Sequence, residues 1–170
     1  MALRIIITGG TFDKQYDAIR GQLTFKDTHL PDIIERVRCS LPIALESNQM
    51  VDSLDMLDEN RQRVLAACRK ADEELIVITH GTDTMAETAA VLGEAFSSRD
   101  AALAGKRIVL TGAMVPYSVS GSDALFNLGC AVMASQLVEA GVYIAMNGRC
   151  FPWSKVKKDR ALGVFEGGAL

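Results

Sequence analysis

The most informative stretch of the chain is the boundary between an apolar run and a polar loop near its middle. Residues 75–78 are all apolar, and the run ends at Thr79. A polar, glycine-containing segment follows, and a helical pattern begins at Met85. This order is typical of a buried strand in a parallel sheet that leads through a loop into a helix. Ligands bind outside the carboxyl ends of such strands, so Thr82 and Asp83 are candidates for chemistry, although both residue types also cap helices well.

The same alternation of strand-like and helix-like patterns runs along the whole chain. Strands are predicted at residues 3–8, 43–45, 75–79, 107–111 and 142–146. Helices are predicted to begin near Thr28, Asp58, Met85 and Ser122. Residues 11–27, apart from a short hairpin near Phe25, and residues 147–158 are predicted as loops. The order predicts an α/β fold: a three-layer, Rossmann- or flavodoxin-like parallel sheet with helices on both faces, in a single domain over residues 1–170.

Composition narrows the classes of function. The 170 residues carry a net charge of −3 with no basic stripe, which argues against a nucleic-acid partner. No apolar run approaches the ~20 residues of a membrane-spanning helix, and the first one is too short for a secretory signal, so we expect a cytoplasmic location and no membrane partner. The four cysteines are far apart, as are His29 and His80, so neither a metal ion nor another cofactor is expected.

Small, hydroxyl-bearing and charged residues follow each predicted strand. In strand order they are Gly9-Gly10-Thr11, then Ser53 and Asp55, then His80-Gly81-Thr82-Asp83, then Gly112-Ala113-Met114, and finally Asn147 with lysines 155, 157 and 158. Helix capping explains one or two of these residues, but it does not easily explain lysines after the fifth strand. Since the carboxyl ends of parallel strands share one edge of a sheet, the pattern favours a small-molecule site at that edge.

Two threonines in these loops are candidates for covalent chemistry. A threonine hydroxyl is a weak nucleophile unless a base or a cation assists it. Lys158 is a candidate assistant for Thr82, and Tyr16, in the same loop as Thr11, is a candidate assistant for Thr11. The alternative for both assistants is structural, with Tyr16 as a packing residue and Lys158 as a solvated surface residue, as most lysines are.

The remaining loop residues suit an amino-acid substrate. Gly10 and Gly81 precede the two threonines, so backbone N–H groups can approach a substrate and form an oxyanion site. Asp83 suits a cationic substrate group, and Ser53 suits an anionic one. Together with the two threonines and the oxyanion site, these residues indicate acyl transfer on a small zwitterion such as an amino acid. The sequence contains no G-x-G-x-x-G or G-x-x-x-x-G-K-[ST] nucleotide motif, and its histidines build no convincing Ser-His-Asp triad.

Five segments between Arg4 and about Lys158 carry a resemblance to a known family. They are Ile7-Thr8-Gly9-Gly10-Thr11, Ser53-Leu54-Asp55-Met56, Thr79-His80-Gly81-Thr82-Asp83-Thr84-Met85, Gly112-Ala113-Met114 with Pro116, and Phe126-Asn127-Leu128. On these residues, and above all on the two threonine motifs, the sequence resembles the bacterial-type L-asparaginase family. The resemblance implies hydrolysis of L-asparagine to L-aspartate and ammonia through a covalent acyl-enzyme.

The resemblance also assigns roles to individual residues. It implies that Thr11 is the nucleophile and that Thr82, Asp83 and a lysine form a second triad, with Lys158 as the first choice and Lys155 as the second. It implies that Ser53 contacts the substrate carboxylate and that Asp83 contacts the amino group. The backbone carbonyl of Ala113 is expected to face the substrate amide. Gly10, Gly81 and Leu54 complete the expected substrate-binding set.

Four features depart from the family pattern. The family usually has a second, C-terminal domain, and we expect this chain to be a short form without it. In the family, a neighbouring subunit normally helps to complete each site. Leu54 stands where a glutamine often follows the serine, and Val115 replaces a usual arginine. Tyr16 lies unusually early, so it matches the family's tyrosine by loop and not by spacing.

Two alternatives to an asparaginase remain open, and one expectation concerns assembly. The first alternative is an amidohydrolase of the same fold acting on glutamine or on an amide-bearing tRNA. The second is a non-catalytic amino-acid-binding module. The helix predicted at residues 122–140 is apolar over more than one stripe, which predicts a homo-oligomer, a dimer or a dimer of dimers, unless neighbouring helices of the same chain cover it.

Overall fold

The computed structural model describes residues 1–168 and 170. Its strands are β1 (Leu3–Gly9), β2 (Gln15–Asp17), β3 (Gln22–Thr24), β4 (Ile43–Val51), β5 (Leu75–Thr79), β6 (Arg107–Thr111), β7 (Gly141–Met146), β8 (Arg149–Pro152), β9 (Val156–Asp159) and β10 (Val164–Gly167). Its α-helices are α1 (Leu30–Arg36), α2 (Asp58–Lys70), α3 (Met85–Ser97) and α4 (Ala124–Leu137). Short 3-10 helices at Thr11–Asp13, Ser53–Asp55 and Trp153–Lys155 follow β1, β4 and β8.

One six-stranded sheet organises the molecule, in the order β4-β1-β5-β6-β7-β8. The first five strands of that order are parallel, and β8 pairs antiparallel with β7. The predicted α/β fold is therefore confirmed, with a mixed sheet in place of the purely parallel one that the sequence predicted. The parallel strands have the flavodoxin-like order, in which the chain winds outwards in both directions from β1.

The apolar runs of the central strands are explained by burial on both faces. Along β5, Ile76 and Ile78 pack in one core with residues of α2 and α3, whereas Leu75 and Val77 pack in a second core with α1 and α4. All four side chains are fully buried. A strand covered on both sides cannot show polar alternation, which is why residues 75–78 contain no polar residue.

The sequence prediction was wrong for residues 147–158. Instead of a loop, this segment forms a turn, the whole of β8, a 3-10 helix and most of β9. Asn147 and Gly148 both have positive φ, 55° and 74°, and they join Met146 to its partner Arg149 as a two-residue hairpin. Asn-Gly is a strong signal for such a turn, because both positions need left-handed backbone.

The bounds of β4 and of the first hairpin also differ from the prediction. Strand β4 runs from Ile43 to Val51 and not only to residue 45. It lies at the edge of the sheet, where polar residues such as Glu46 and Gln49 remain accessible, so it lacks a long apolar run. The predicted hairpin near Phe25 is β2 paired with β3, placed slightly earlier in the chain. No helix among the described residues is both long and apolar enough to cross a membrane.

Candidate active site

The strand order determines where the two threonine loops meet. From β1 the chain goes to β4 on one side, and then to β5 on the other side of β1. The carboxyl ends of β1 and β5 therefore form the topological switch point, where ligands bind in open α/β sheets. Thr11 begins the 3-10 helix that follows β1, and Thr82 lies in the loop that follows β5.

The two loops are in direct backbone contact at a pair of glycines. A Cβ atom on Gly10 would lie 2.3 Å from the backbone nitrogen of Gly81 and 2.4 Å from its Cα. Gly10 also has a φ of +73°, which a side chain would disfavour. Only a glycine at this position allows the loop of Thr11 to approach the loop of Thr82 so closely.

Ser53 is packed into the same junction from the edge strand β4. A Cβ atom on Gly81 would lie 2.5 Å from the hydroxyl oxygen of Ser53, and Thr84 Oγ1 donates a 2.7 Å hydrogen bond to the Ser53 carbonyl. Ser53 is 1% exposed, and its hydroxyl bonds to no other described residue. The neighbouring Leu54, in contrast, is 65% exposed and lies on the rim of the junction.

Lys158 contacts both polar side chains of the second threonine loop. Its Nζ donates hydrogen bonds of 2.8 Å to Thr82 Oγ1 and of 2.8 Å to Asp83 Oδ1. The lysine side chain is 9% exposed and that of Asp83 is 35% exposed. Lys155, the second choice from sequence, is exposed and makes neither contact. Helix α3 has no side-chain cap, so the capping alternative for these residues does not account for their contacts.

The pairing of β9 with β10 explains why Lys158 and not Lys157 reaches the loop. Lys158 lies opposite Phe165, and Lys157 lies opposite Glu166. Directly opposed residues share one face of an antiparallel pair. Phe165 is 3% exposed and belongs to the core, so its partner lysine also lies on the inner face. Lys157 is on the outer face, 77% exposed, with its Nζ 3.0 Å from Glu166 Oε1.

His80 is a site residue whose role sequence reasoning missed. It is completely buried, with Nδ1 2.7 Å from the carbonyl oxygen of Gly81 and Nε2 2.8 Å from Thr88 Oγ1. Burial lowers the pKa of His80 to about 4, so the ring is neutral at pH 7. A carbonyl only accepts, so Nδ1 carries the proton and Nε2 accepts from Thr88. The only available signal was a histidine directly after a buried strand.

The hydrogen bond from His80 orients the peptide between Gly81 and Thr82. This peptide is trans, so its N–H points away from its carbonyl. The carbonyl faces the buried histidine, and the N–H of Thr82 is therefore directed to the opposite side. Such a fixed backbone donor beside a candidate nucleophile suits an oxyanion site.

The loop after β6 also borders the site, next to the loop that contains His80 and Thr82. A Cβ atom on Gly112 would lie 2.3 Å from the carbonyl oxygen of His80, and Ala113 is completely buried. The carboxylate of Asp123 accepts hydrogen bonds from the backbone N–H groups of Met114, at 3.0 Å, and Val115, at 2.9 Å. These bonds fix the loop that contains Ala113 independently of the side chain at position 115.

The structure does not bring Tyr16 to Thr11. Tyr16 lies on β2 opposite Leu23, its side chain is 64% exposed, and it makes no hydrogen bond to Thr11. The Thr11 hydroxyl has no hydrogen-bond partner among the described residues. What holds this loop is the ion pair between Lys14 and Asp52, together with a 3.1 Å bond from the backbone N–H of Gly10 to Val51. Within residues 1–168 and 170, no group of three or more histidine, cysteine, aspartate or glutamate side chains is arranged to bind a metal ion.

Comparison with known proteins identifies the family of this fold and site. Residues 2–164 match the family model described as "Asparaginase, N-terminal". The chain is 32% identical over 154 residues to a glutamyl-tRNA(Gln) amidotransferase subunit of Archaeoglobus fulgidus, a match that covers 86% of this chain and 34% of that protein. It is 28% identical over 170 residues to L-asparaginase 1 of Escherichia coli K12, covering 95% of this chain and 48% of that protein.

A solved structure of an L-asparaginase also matches the fold of this chain. The thermostable L-asparaginase from Thermococcus kodakarensis superposes with a TM-score of 0.82 at 27% identity, over 98% of this chain and 51% of that chain. The chain therefore belongs to the asparaginase family, and the part matched is the family's N-terminal region. It spans about a third of the length of the amidotransferase protein and about half the length of the two asparaginases.

Proposed function

We propose that this chain hydrolyses the side-chain amide of L-asparagine to give L-aspartate and ammonia, without a metal ion or an organic cofactor. The observation that carries the proposal is the contact between Gly10 and Gly81. That contact sets Thr11 against a loop in which Thr82 and Asp83 are both bonded to Lys158. A free hydroxyl beside a lysine-bonded hydroxyl is an arrangement suited to covalent acyl transfer.

In the proposed reaction Thr11 is the nucleophile. Its Oγ forms a bond to the amide carbon of asparagine, the carbon–nitrogen bond breaks, and the hydroxyl proton ends on the leaving group, which departs as ammonia. Water then adds to the resulting ester, releases L-aspartate and returns a proton to Thr11. The Thr11 hydroxyl, unbonded within the described part of the chain, supports this role, because no competing hydrogen bond must break before the attack.

Thr82, Asp83 and Lys158 are proposed to handle protons and to hold the attacking water. The Lys158 ammonium bonds to both partners at 2.8 Å in a mostly buried position, where charge effects are stronger than in water. The backbone N–H of Thr82 is proposed to stabilise the negative charge that develops on the amide oxygen. The orientation of the Gly81–Thr82 peptide by His80 supports this donor.

Substrate recognition is assigned to three residues around the junction. Ser53 is 1% exposed as a residue, and its hydroxyl has no hydrogen-bond partner among the residues that the structure describes, which suits the carboxylate of the substrate. Asp83 uses one carboxylate oxygen for Lys158, and its other oxygen is proposed to accept from the substrate's ammonium group. The carbonyl of Ala113 is proposed to accept from the substrate amide.

The experiment that tests this proposal is ammonia release over a panel of asparagine, glutamine and longer amides. We expect asparagine to be strongly preferred, because Leu54 supplies no amide donor and a longer substrate must still reach Ser53 and Asp83. Equal turnover of asparagine and glutamine at matched concentration would contradict this preference. The matched variants are Thr11→Val, expected to be inactive, and Thr24→Val on β3, expected to retain activity.

A second candidate function is an amidohydrolase that acts on glutamine or on an amide-bearing tRNA. The observation in its favour is the 32% identity to the amidotransferase protein, which extends over 86% of this chain. Ammonia from glutamine exceeding that from asparagine would favour this candidate. A non-catalytic amino-acid-binding module would bind asparagine and release no ammonia above the Thr11→Val background.

The assembly of the chain is proposed to be a homo-oligomer, a dimer or a dimer of dimers. Several apolar side chains of α4 remain exposed: Leu125 at 45%, Phe126 at 61%, Met133 at 56% and Leu137 at 74%. Exposed apolar groups along one helix favour association with a partner. Light scattering tests this, since a fully active species of 18.4 kDa would contradict it. The cytoplasmic location and the single-domain organisation over residues 1–170 stay predictions.

A further inference from the structure

Two asparagine side chains form a continuous hydrogen-bonded path behind the site. Asn127 on α4 donates from Nδ2 to the carbonyl oxygen of Gly112, at 3.0 Å, and to Asp123 Oδ2, at 2.8 Å. Its Oδ1 accepts a 3.2 Å bond from the backbone N–H of Asn147. Asn147 Oδ1 in turn accepts a 2.8 Å bond from the backbone N–H of Phe165.

The orientation of the Asn127 amide is determined by its partners. Gly112 and Asp123 present only acceptors, so they must face the NH2 group, and the oxygen must face the backbone N–H of Asn147. Asn127 is 1% exposed, so a lost partner would leave a buried polar group unsatisfied. The path is therefore specific for an asparagine at position 127, and not simply for a polar residue.

The far end of the path lies directly behind Lys158. Phe165 is the residue opposite Lys158 in the β9–β10 pair. The N–H of Phe165 points out of the hairpin to Asn147, while the Phe165 side chain is buried in the core. The hairpin is thus hydrogen-bonded to Asn147, at the end of β7, through the residue paired with the lysine.

The near end of the path holds the opposite wall of the site. Gly112 lies beside His80 and immediately precedes Ala113, whose carbonyl is assigned to the substrate amide. One buried side chain therefore bonds to the β6 loop and, through Asn147, to the β9–β10 hairpin. Neither asparagine side chain is hydrogen-bonded to Thr11, Thr82 or Lys158.

We propose that Asn147, held by Asn127, is a positioning residue that sets the depth of Lys158 against Thr82 and Asp83. The catalytic role of Lys158 rests on the proposed function. The depth at which Lys158 is buried can nevertheless be measured without an activity assay. Asn147 lies in left-handed backbone, φ 55°, so Asn147→Gly removes the acceptor and retains the turn. Asn147→Asp retains an acceptor oxygen for Phe165 and serves as the rescuing variant.

The test is limited acylation of the folded protein with acetic anhydride, followed by peptide mass spectrometry of individual lysines. Lys157, which is 77% exposed, is the internal reference, and Lys106, which is 7% exposed and remote from the hairpin, reports global unfolding. We expect Asn147→Gly to raise the acylation of Lys158 relative to Lys157 by about 3- to 10-fold, the range for one lost hydrogen bond. Asn147→Asp should restore the wild-type ratio.

The matched control is Arg99→Gly, which also replaces an exposed residue in left-handed backbone, φ 61°, far from the path. Its Lys158 acylation should equal that of the wild type. Unchanged Lys158 acylation in Asn147→Gly would overturn the proposal. A parallel rise of Lys106 and Lys158 would also overturn it, because the effect would then be general loss of structure.

Kinetics then separate this proposal from the proposed function. In a double-mutant cycle, Asn147→Gly should lower kcat for asparagine by about 3- to 10-fold in the wild type and have no effect beyond about 2-fold in Lys158→Met. Equal losses in both backgrounds would show that Asn147 does not act through Lys158. If asparagine is not a substrate, the acylation result still decides the positioning role.

Discussion

The two threonine loops differ in how the fold holds their hydroxyl groups. Thr82 is 5% exposed, bonded to Lys158, and preceded by a peptide that the buried His80 orients. Thr11 is half-buried, its hydroxyl has no partner within residues 1–168 and 170, and the hairpin that follows it carries the 64% exposed Tyr16. One threonine hydroxyl is thus held by a hydrogen bond, and the other, the proposed nucleophile, has none within the described residues.

This contrast separates two requirements of covalent catalysis. A proton-handling group must be held in place in advance, because its effect depends on fixed geometry and low exposure to water. A nucleophile must be free to form a new bond, so hydrogen bonds that satisfy it in the resting state are unfavourable. The difference between the loops therefore predicts different effects on activity and on stability when each hydroxyl is removed.

The strongest effect should come from the loss of the Thr11 hydroxyl. Thr11→Val should lower kcat/KM for asparagine by more than about 10³-fold, as expected for an essential nucleophile. Its free energy of unfolding should change by less than about 0.5 kcal/mol, because no hydrogen bond is lost. Urea denaturation and ammonia release measure both quantities on the same sample.

Thr82→Val should differ from Thr11→Val in its free energy of unfolding but not in its activity. It should be similarly inactive, but it should also lose about 1–3 kcal/mol of stability, because the buried Lys158 loses one partner. Lys158→Met should resemble it kinetically, and Lys155→Met should resemble the wild type. Equal stability losses at the two threonines would contradict the proposed difference between the loops.

The next strongest effect is expected at the contact between the loops. Gly10→Ala places a Cβ atom 2.3 Å from the Gly81 nitrogen, so the loops must separate, and a fall in kcat of about 100-fold is expected from the misplaced groups. Gly21→Ala is the matched control, since Gly21 has a φ of +65° and nothing within 4 Å of its Cβ position. It should lose only the ~1–2 kcal/mol of left-handed strain and keep its activity. Similar activities for the two folded variants would refute the role of the contact.

A smaller effect is expected at Tyr16. Because its hydroxyl does not contact Thr11, Tyr16→Phe should lower kcat by less than about 10-fold, below the range for a committed general base. Stopped-flow or steady-state ammonia assays measure this ratio. A loss above about 100-fold would mean that the β2–β3 hairpin closes over the site in the reaction, and the openness around Thr11 would then be a property of the resting state only.

The last prediction concerns stability and not activity, namely the pH dependence of the half of the site that contains His80. Folding lowers the pKa of His80 from 6.5 to about 4, so between these values the unfolded chain binds more protons than the folded one. Stability should therefore fall as the pH falls from 6.5 towards 4, with a contribution of up to about 1.4 kcal/mol per pH unit. In His80→Gln this contribution should disappear from urea titrations, whatever the absolute stability of the variant. An unchanged slope would contradict a neutral, buried His80.

The sequence predicted the interior of the sheet better than its periphery. The apolar runs of β5 and β6 were predicted with the residue bounds that the structure has, because strands buried on both faces leave an unambiguous signal. Strand β4 was predicted too short, since an edge strand with Glu46 and Gln49 lacks that signal. The hairpin at Asn147-Gly148 carried a recognisable turn signal that the loop prediction did not use.

The residues of the candidate site also differ in how well the sequence predicted their positions. Residues directly after strands, such as Ser53, Thr82 and Ala113, lie at the expected edge because the strand determines their position. Lys158 could not be separated from Lys155 by sequence, since the choice depends on the pairing of β9 with β10. The position of Tyr16 depends on a hairpin at the surface, and the role of His80 depends on burial. Neither property is encoded in a local pattern.

The decisive measurement is the location of the covalent intermediate. The Thr82→Val variant, in which hydrolysis of the ester is expected to be slow, is mixed with L-asparagine, quenched in acid and mapped by peptide mass spectrometry. We predict an aspartyl ester on the peptide that contains Thr11, absent when Thr11→Val is added. An ester on any other peptide, or ammonia release by that double variant at the rate of Thr82→Val alone, would contradict a Thr11 nucleophile.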